Sequence, residues 1–454
     1  MSSVKYGGSM KFFLFISTFF SIVLLAMHAV LLPDATASAA VCPTGVPEEY
    51  AHLEPGTVRS VYFLSWHGKY DYTPNRIEEI AHDVTDIMYA FIVPQEDGTC
   101  RLLHPKFAFG IGPRYEKERG HFQQLLDIKR RFPHLRILLS AGGGGAVQTF
   151  VNLYRKDLLK KCAKNFVEAL DSYTFDYQYR VGDEKKTATF DYKNLFDGLD
   201  INWEFHARGV KAEYAQAYAS FIKELRRLLN IRERKLGKKM MLTATLQISP
   251  AVYGALPLQE IARSVDWFHV MSYDVYGLGS KSVGHNTPIC GPQGVYTIDG
   301  ALNRIIRRGV SPDKLVLGIS GYGYKYADND GYGKSFNKTS KRTKALFYKD
   351  IDTYFVTHPG YERGWSEQGR VPYLYNKQAK TFISYDDAES VEYKVRLAAE
   401  KRCRGVMFWA LSHDDQNHTL VKVISEHVGK PFFQDEFEEE ISDQENSLEL
   451  NFAA

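Results

Sequence analysis

The chain is short of cysteine: five in 454 residues, Cys42, Cys100, Cys162, Cys290 and Cys403, with no CxxC pair among them. That scatter excludes a small disulfide-built scaffold and the usual zinc ligand sets. It allows one or two disulfides in an exported protein and leaves at least one thiol unpaired or intermolecular. Charge of one sign is lacking as well. Lysine and arginine number 57 against 54 aspartate and glutamate, a formal net charge of +3. A balance so even gives no basis for nucleic acid or an anionic membrane surface as partner. No His, Asp and Glu set falls at ligand spacing, so neither a metal nor a cofactor is expected. No repeat of fixed period is present, which removes solenoids and propellers.

What is present begins at the N-terminus. Lys5 and Lys11 precede an apolar run over residues 12–32, and Ala37-Ser38-Ala39 follows as a small-residue cleavage site. That order predicts a secretory signal peptide over residues 1–40 and an exported protein. The run is also long enough to anchor in a membrane, but Ser17, Ser21 and His28 interrupt it. Residues 435–449 are rich in Asp and Glu and poor in core residues, so residues 431–454 read as an acidic, disordered tail.

Between these ends, short β-branched runs alternate with amphipathic helical patterns. Strands are expected at 58–64, 86–93, 136–140, 198–204, 240–247, 267–273, 315–319 and 405–411. Helices are expected at 122–132, 158–173, 212–230, 300–308 and 390–402. Eight buried-looking strands with helices between them predict an α/β fold, a (β/α)₈ TIM barrel, with an open doubly wound sheet as the alternative. Residues 174–194 read as an inserted hairpin or ordered loop. Residues 323–385 are too long for a βα loop and predict a small α+β insertion domain between strand seven and helix seven. The barrel would then comprise 41–322 and 386–430.

The stretch Asp197-Gly198-Leu199-Asp200-Ile201-Asn202-Trp203-Glu204 carries the chemistry. On a strand, Asp200, Asn202 and Glu204 share one face while Ile201 and Trp203 share the other. Three polar side chains facing a barrel interior are costly in a plain core. At the C-terminal mouth, where barrel enzymes keep their sites, they are not.

Here the chain resembles glycoside hydrolase family 18, the chitinases and their relatives, whose fourth strand ends in DGxDxDxE. Five further stretches resemble that family in its own order. Tyr89-Ala90-Phe91 is similar to the YAF of strand two, and Ser140-Ala141-Gly142-Gly143 to the SxGG after strand three. Met271-Ser272-Tyr273-Asp274 resembles MxYD at strand six, and Gly405-Val406-Met407-Phe408-Trp409 the end of strand eight. Val371-Pro372-Tyr373 with Ser384-Tyr385-Asp386-Asp387 resembles the family's insertion domain.

The resemblance implies a monomeric hydrolase acting on N-acetylglucosamine oligo- or polysaccharide by a substrate-assisted mechanism that retains configuration. Glu204 would protonate the glycosidic oxygen while the substrate's acetamido oxygen attacks C1. Asp200, Asn202 and Tyr273 would complete the catalytic set, with Tyr273 donating to the acetamido oxygen. Met271 and Asp274 would border the sugar, Trp409 would lie beneath it, and Tyr62 and Phe91 would line the wall.

The sequence also departs from the pattern. The third aspartate of the motif is Asn202, which can accept a hydrogen bond but carries no charge. Loss of one preorganised electrostatic partner costs on the order of 2–4 kcal/mol, or ~10²–10³ in rate. Removing an anion should also lower the pKa of Glu204. Gly144 stands where many of these enzymes carry Trp, and Tyr322-Gly323-Tyr324 replaces the family's YGR. His206, just past Glu204, reads as a contact at the mouth. A chitinase-like lectin that binds without turnover is the rival reading; it usually lacks the acid that Glu204 supplies.

Overall fold

In the computed structural model the described residues are 57–66, 72–112, 119–180, 182–206, 209–292 and 296–427. The expected signal segment and acidic tail lie outside them, and so does Cys42. Eight parallel strands close into a barrel: Val58–Leu64, Asp86–Pro94, Arg136–Gly142, Gly198–Asn202, Met241–Gln247, Trp267–Met271, Leu315–Ser320 and Gly405–Trp409. The first pairs with both the second and the eighth, and this closure excludes the open sheet. We call them barrel strands one to eight. A short strand, Cys100–Leu102, extends strand two antiparallel.

Alternation along these strands makes two cores. Outward residues such as Leu139, Leu199, Ile201, Phe268 and Val406 pack under the helices. Inward residues such as Val58, Tyr62, Met88, Leu138, Trp267 and Met407 fill the barrel. The strands are mostly apolar because both of their faces are covered. Toward the mouth the inward positions turn polar, and there the site forms.

Four expected strands are shorter than their sequence patterns, three of them at the mouth. Strand four ends at Asn202, strand six at Met271 and strand eight at Trp409, so Glu204, Tyr273 and Leu411 follow the last ladder pair. At the other end, strand five begins at Met241 rather than residue 240. The helix expected over 158–173 is Leu159–Glu168. Tyr173 instead belongs to an antiparallel hairpin, Ser172–Tyr177 with Lys186–Asp191. Its alternate aromatics Tyr173, Phe175 and Phe190 stack on Phe109. Period two thus won over period 3.6 where the apolar partners lay on one side only. After strand seven, Tyr322–Ala327, Lys344–Phe347, Glu362–Ser366, Val371–Asn376 and Thr381–Ser384 form a five-stranded antiparallel sheet. Helix Ala388–Glu400 follows, opened by a capping box at Asp387.

One glycine decides how the third βα loop meets strand four. Gly142 has φ 115°, and a Cβ there would lie 2.2 Å from the Asn202 carbonyl oxygen. That oxygen accepts the Gly143 N–H at 2.9 Å. Gly142→Ala is therefore expected to cost about 2 kcal/mol or more in urea unfolding, through overpacking and strain. A cost below about 0.5 kcal/mol would show the loop free to move away.

Candidate active site

The lowest layer of the site is a buried carboxylate. Asp200 is fully enclosed inside the barrel. Its Oδ2 accepts from Tyr62 Oη (2.7 Å), Ser140 Oγ (2.8 Å) and Asn202 Nδ2 (2.7 Å). Its Oδ1 accepts from Thr243 Oγ1 (2.7 Å) and from His269 Nδ1 (3.1 Å). The tautomer of His269 follows from its other side. The Trp267 indole, a donor only, points its N–H at His269 Nε2 at 3.0 Å, so the ring proton sits on Nδ1. Burial would raise the Asp200 pKa, but donors from His269, Tyr62 and Thr243 outweigh it and hold the group below the ordinary aspartate value.

Asn202 is oriented by this carboxylate. Its Nδ2 donates to Ser140 Oγ (2.8 Å) and to Asp200 Oδ2 (2.7 Å), which uses both amide hydrogens. Turning the amide over would set its oxygen against the Asp200 anion. The Oδ1 atom is thus directed away from Asp200, and the amide is a fixed acceptor rather than a titrating group.

Glu204 stands just beyond strand four. Its carboxyl is largely buried, and its pKa is raised to about 7, first by burial and then by the charges of Asp274 and Asp200. The downward push expected from Asn202 is therefore not the controlling influence. Trp203, alternating outward, stacks on Phe150 at 4.6 Å and holds the strand end from behind. Across the mouth, burial followed by Asp274 and Glu204 raises the Tyr273 phenol well above its usual value, so it stays a donor. Asp274 adopts φ 60°, with its N–H given to Asn286 Oδ1 at 2.8 Å. Its Oδ1 accepts from both Tyr322 Oη and Tyr324 Oη at 2.6 Å each.

Aromatic rings floor the cleft. Trp409 lies 5.0 Å from Tyr62 and 6.1 Å from Phe91, and Phe91 lies 5.9 Å from Trp66. Phe91 and its two indole neighbours are within 28° of parallel, an arrangement that suits flat sugar faces. Phe91 faces inward at the point where the pairing of strand two with strand three shifts, between Ala90 and Ile92; such irregularities commonly re-aim a side chain beside a site. Gly144 is exposed, and a Cβ there would lie 3.2 Å from Glu204 Oε2.

The structure thus brings Glu204, Tyr273, Met271, Asp274, Phe91 and Trp409 to one mouth. Asp200 and the Tyr62 hydroxyl lie beneath it, engaged with each other rather than open to a ligand. His206 is exposed beyond Glu204. Asp197, first in the motif, sits at the opposite end of the barrel, bound to Lys129, Lys238 and the Ile137 N–H. Among the described residues no group of three or more His, Cys, Asp or Glu could hold a metal ion. Cys290 is disulfide-bonded, whereas Cys100, Cys162 and Cys403 are free thiols. No helix among the described residues is long and apolar enough to cross a membrane.

The family model for glycosyl hydrolases family 18 matches residues 58–414. The chain belongs to that family. Chitinase A1 of Niallia circulans is 32% identical over 326 residues, 66% of this chain and 44% of that protein. Chitinase B of Serratia marcescens is 23% identical over 432 residues, 80% of this chain and 79% of its own length. The chain thus spans less than half the length of the first of these relatives. Among solved structures, a chitinase from Bacillus thuringiensis superposes with a TM-score of 0.70 at 24% identity, covering 84% of this chain and 71% of its own. That likeness supports the barrel. The family assignment rests on the sequence match.

Sequence reasoning passed over Thr243, Trp267 and His269, although period-two alternation places each on an inward face. It also passed over Trp66 and Asn286, for which only loop position was legible.

A raised carboxyl pKa has a consequence for stability. The folded value of Glu204 lies above the unfolded one, so its contribution is full below the unfolded pKa near 4.5 and is lost as pH rises to about 7. Glu204→Gln, which removes the ionisation, should raise the melting temperature more at pH 8 than at pH 4. Equal shifts at both values would contradict the assignment.

Proposed function

We propose that this chain is a retaining glycoside hydrolase of β-1,4-linked N-acetylglucosamine oligomers or polymers, with Glu204 as the proton donor. One observation carries the reading: a carboxyl whose pKa is raised to about 7, set beside a fixed amide acceptor above an aromatic floor. Glu204 Oε2 would give its proton to the leaving oxygen. Among the described residues the other carboxylates are committed elsewhere: Asp200 has both oxygens occupied, and two phenols hold Oδ1 of Asp274. The substrate's own acetamido oxygen supplies the nucleophile in this account. Tyr273 would donate to that oxygen, and Asn202 Oδ1 would accept the acetamido N–H. Trp409 would stack beneath the sugar, with Phe91 on its flank and Met271 and Asp274 at its edge. Asp200 and the Tyr62 hydroxyl are positioning groups that act through Asn202.

The same reading takes the barrel and the 323–385 insertion as one monomeric, exported protein whose insertion walls the cleft. Chitin oligomers, peptidoglycan fragments and N-glycan cores all present the required acetamido sugar.

Glu204→Gln should abolish release of reducing ends from chitotetraose while leaving its binding within about threefold. If the unaltered protein binds the tetramer yet releases nothing over days, the chain is a lectin instead. Asn202→Asp restores a charge beside the cationic intermediate and should raise turnover by on the order of 10². A level or reduced rate would show that the amide is no handicap. The kcat/KM profile should fall as pH rises through about 7, where Glu204 loses its proton.

A further inference from the structure

Asp274 stands out because its partners among the described residues are all neutral. Its backbone N–H is given to Asn286 Oδ1, itself fully buried, and its positive φ turns the side chain back over the mouth. Tyr322 and Tyr324, on one face of the insertion sheet, both direct their hydroxyls at Oδ1, each at 2.6 Å. Burial followed by Asp274 raises both phenols far above their usual value, so both remain donors at any working pH. Tyr324 has little freedom: a Cβ on Gly277 would lie 3.3 Å from its ring, so that glycine is the shelf on which the ring lies. Tyr296 donates to the Asp274 carbonyl at 3.3 Å. Among the described residues no lysine, arginine or histidine pairs with this carboxylate.

We propose that Tyr324, with Tyr322, meets Asp274 with neutral phenols only, so that Asp274 stands beside Glu204 as an anion without a cationic partner among the described residues, and that this neutrality of the insertion sheet helps keep the acid protonated. This rests on the assignment of Glu204 as proton donor and adds a control element to it. A phenol suits the task where a guanidinium would not. It orients the carboxylate through one strong hydrogen bond but leaves the negative charge unneutralised, and an unneutralised anion favours the protonated form of a neighbouring carboxyl. Among the described residues, the charged groups that act on Glu204 agree in sign. Asp200 lies on its own strand and Asp274 on the loop after strand six, and both push its pKa up together with burial. Tyr273, from that same loop, and Tyr322 and Tyr324, from the insertion sheet, bring no charge. His206, two residues on, is exposed.

The test titrates the Glu204 carboxyl by carbon-13 NMR in the full chain, alongside kcat/KM against pH on chitotetraose. Tyr324→Arg should lower the Glu204 midpoint by about one pH unit and move the basic limb of the rate profile with it. Tyr324→Phe removes the hydrogen bond but adds no charge, and should leave the midpoint within about 0.3 unit. Should the arginine variant fail to fold, Tyr324→Lys carries the same expectation. A midpoint unmoved by either cation overturns the proposal. So does an equal fall with phenylalanine, which would mean that any change at 324 disturbs the site. Because the carbon-13 signal needs no turnover, a protein that titrates as expected yet releases no sugar would sink the hydrolase reading and leave this inference standing.

Discussion

The site hangs on one saturated carboxylate. Asp200 accepts five hydrogen bonds from groups on five different barrel strands: Tyr62 on strand one, Ser140 on three, Asn202 on four, Thr243 on five and His269 on six. An anion buried this deeply is tolerable only when its lone pairs are met, and it binds the strands' inner faces to one another. It also dictates what stands above it. With both Asn202 amide hydrogens drawn downward, that side chain offers an oxygen upward and nothing else. A buried electrostatic requirement is thereby converted into a fixed acceptor at the mouth.

The acid depends on the same charge from a distance. Glu204 is largely buried, and burial is the first cause of its raised pKa, with Asp274 and Asp200 adding to it. These two anions are held by opposite means. Asp200 is enclosed by donors inside the barrel; Asp274 is exposed in the cleft and steadied by two tyrosines from the insertion sheet. Replacing the motif's third carboxylate with Asn202 therefore subtracts one charge from a site that keeps two. The acid keeps its proton up to about pH 7, while the charge available to a cationic intermediate shrinks. The cost falls on the intermediate rather than on proton donation.

Much of this was legible from residue order. The barrel followed from eight β-branched runs with intervening amphipathic patterns, and the inward set of strand four followed from alternation at Asp200 and Asn202. The same alternation reaches Thr243 and His269, whose polar character at apolar positions was the overlooked signal. Phe91 is different in kind. Simple alternation from Met88 and Ala90 would turn it outward, and it faces the cleft at the point where the strand register shifts. Tyr322 and Tyr324 read as a departure from a motif, but their meeting at Asp274 depends on an antiparallel sheet folding back over the strand-six loop. Contacts of that range carry no local periodicity. The shortened helix near residue 168 had the same origin, since its apolar spacing satisfied two periods and only Phe109 decided between them.

The central claim is that Asp200 fixes Asn202 as an upward-facing acceptor for the substrate's acetamido group. A crystal structure of the Glu204→Gln protein with chitotetraose, at a resolution that distinguishes amide nitrogen from oxygen by its contacts, tests it most directly. The account predicts the acetamido N–H on Asn202 Oδ1 at about 2.9 Å, with Nδ2 still on Asp200 and Ser140. An Asn202 rotated away from Asp200, or an acetamido group bound elsewhere in the cleft, would contradict it.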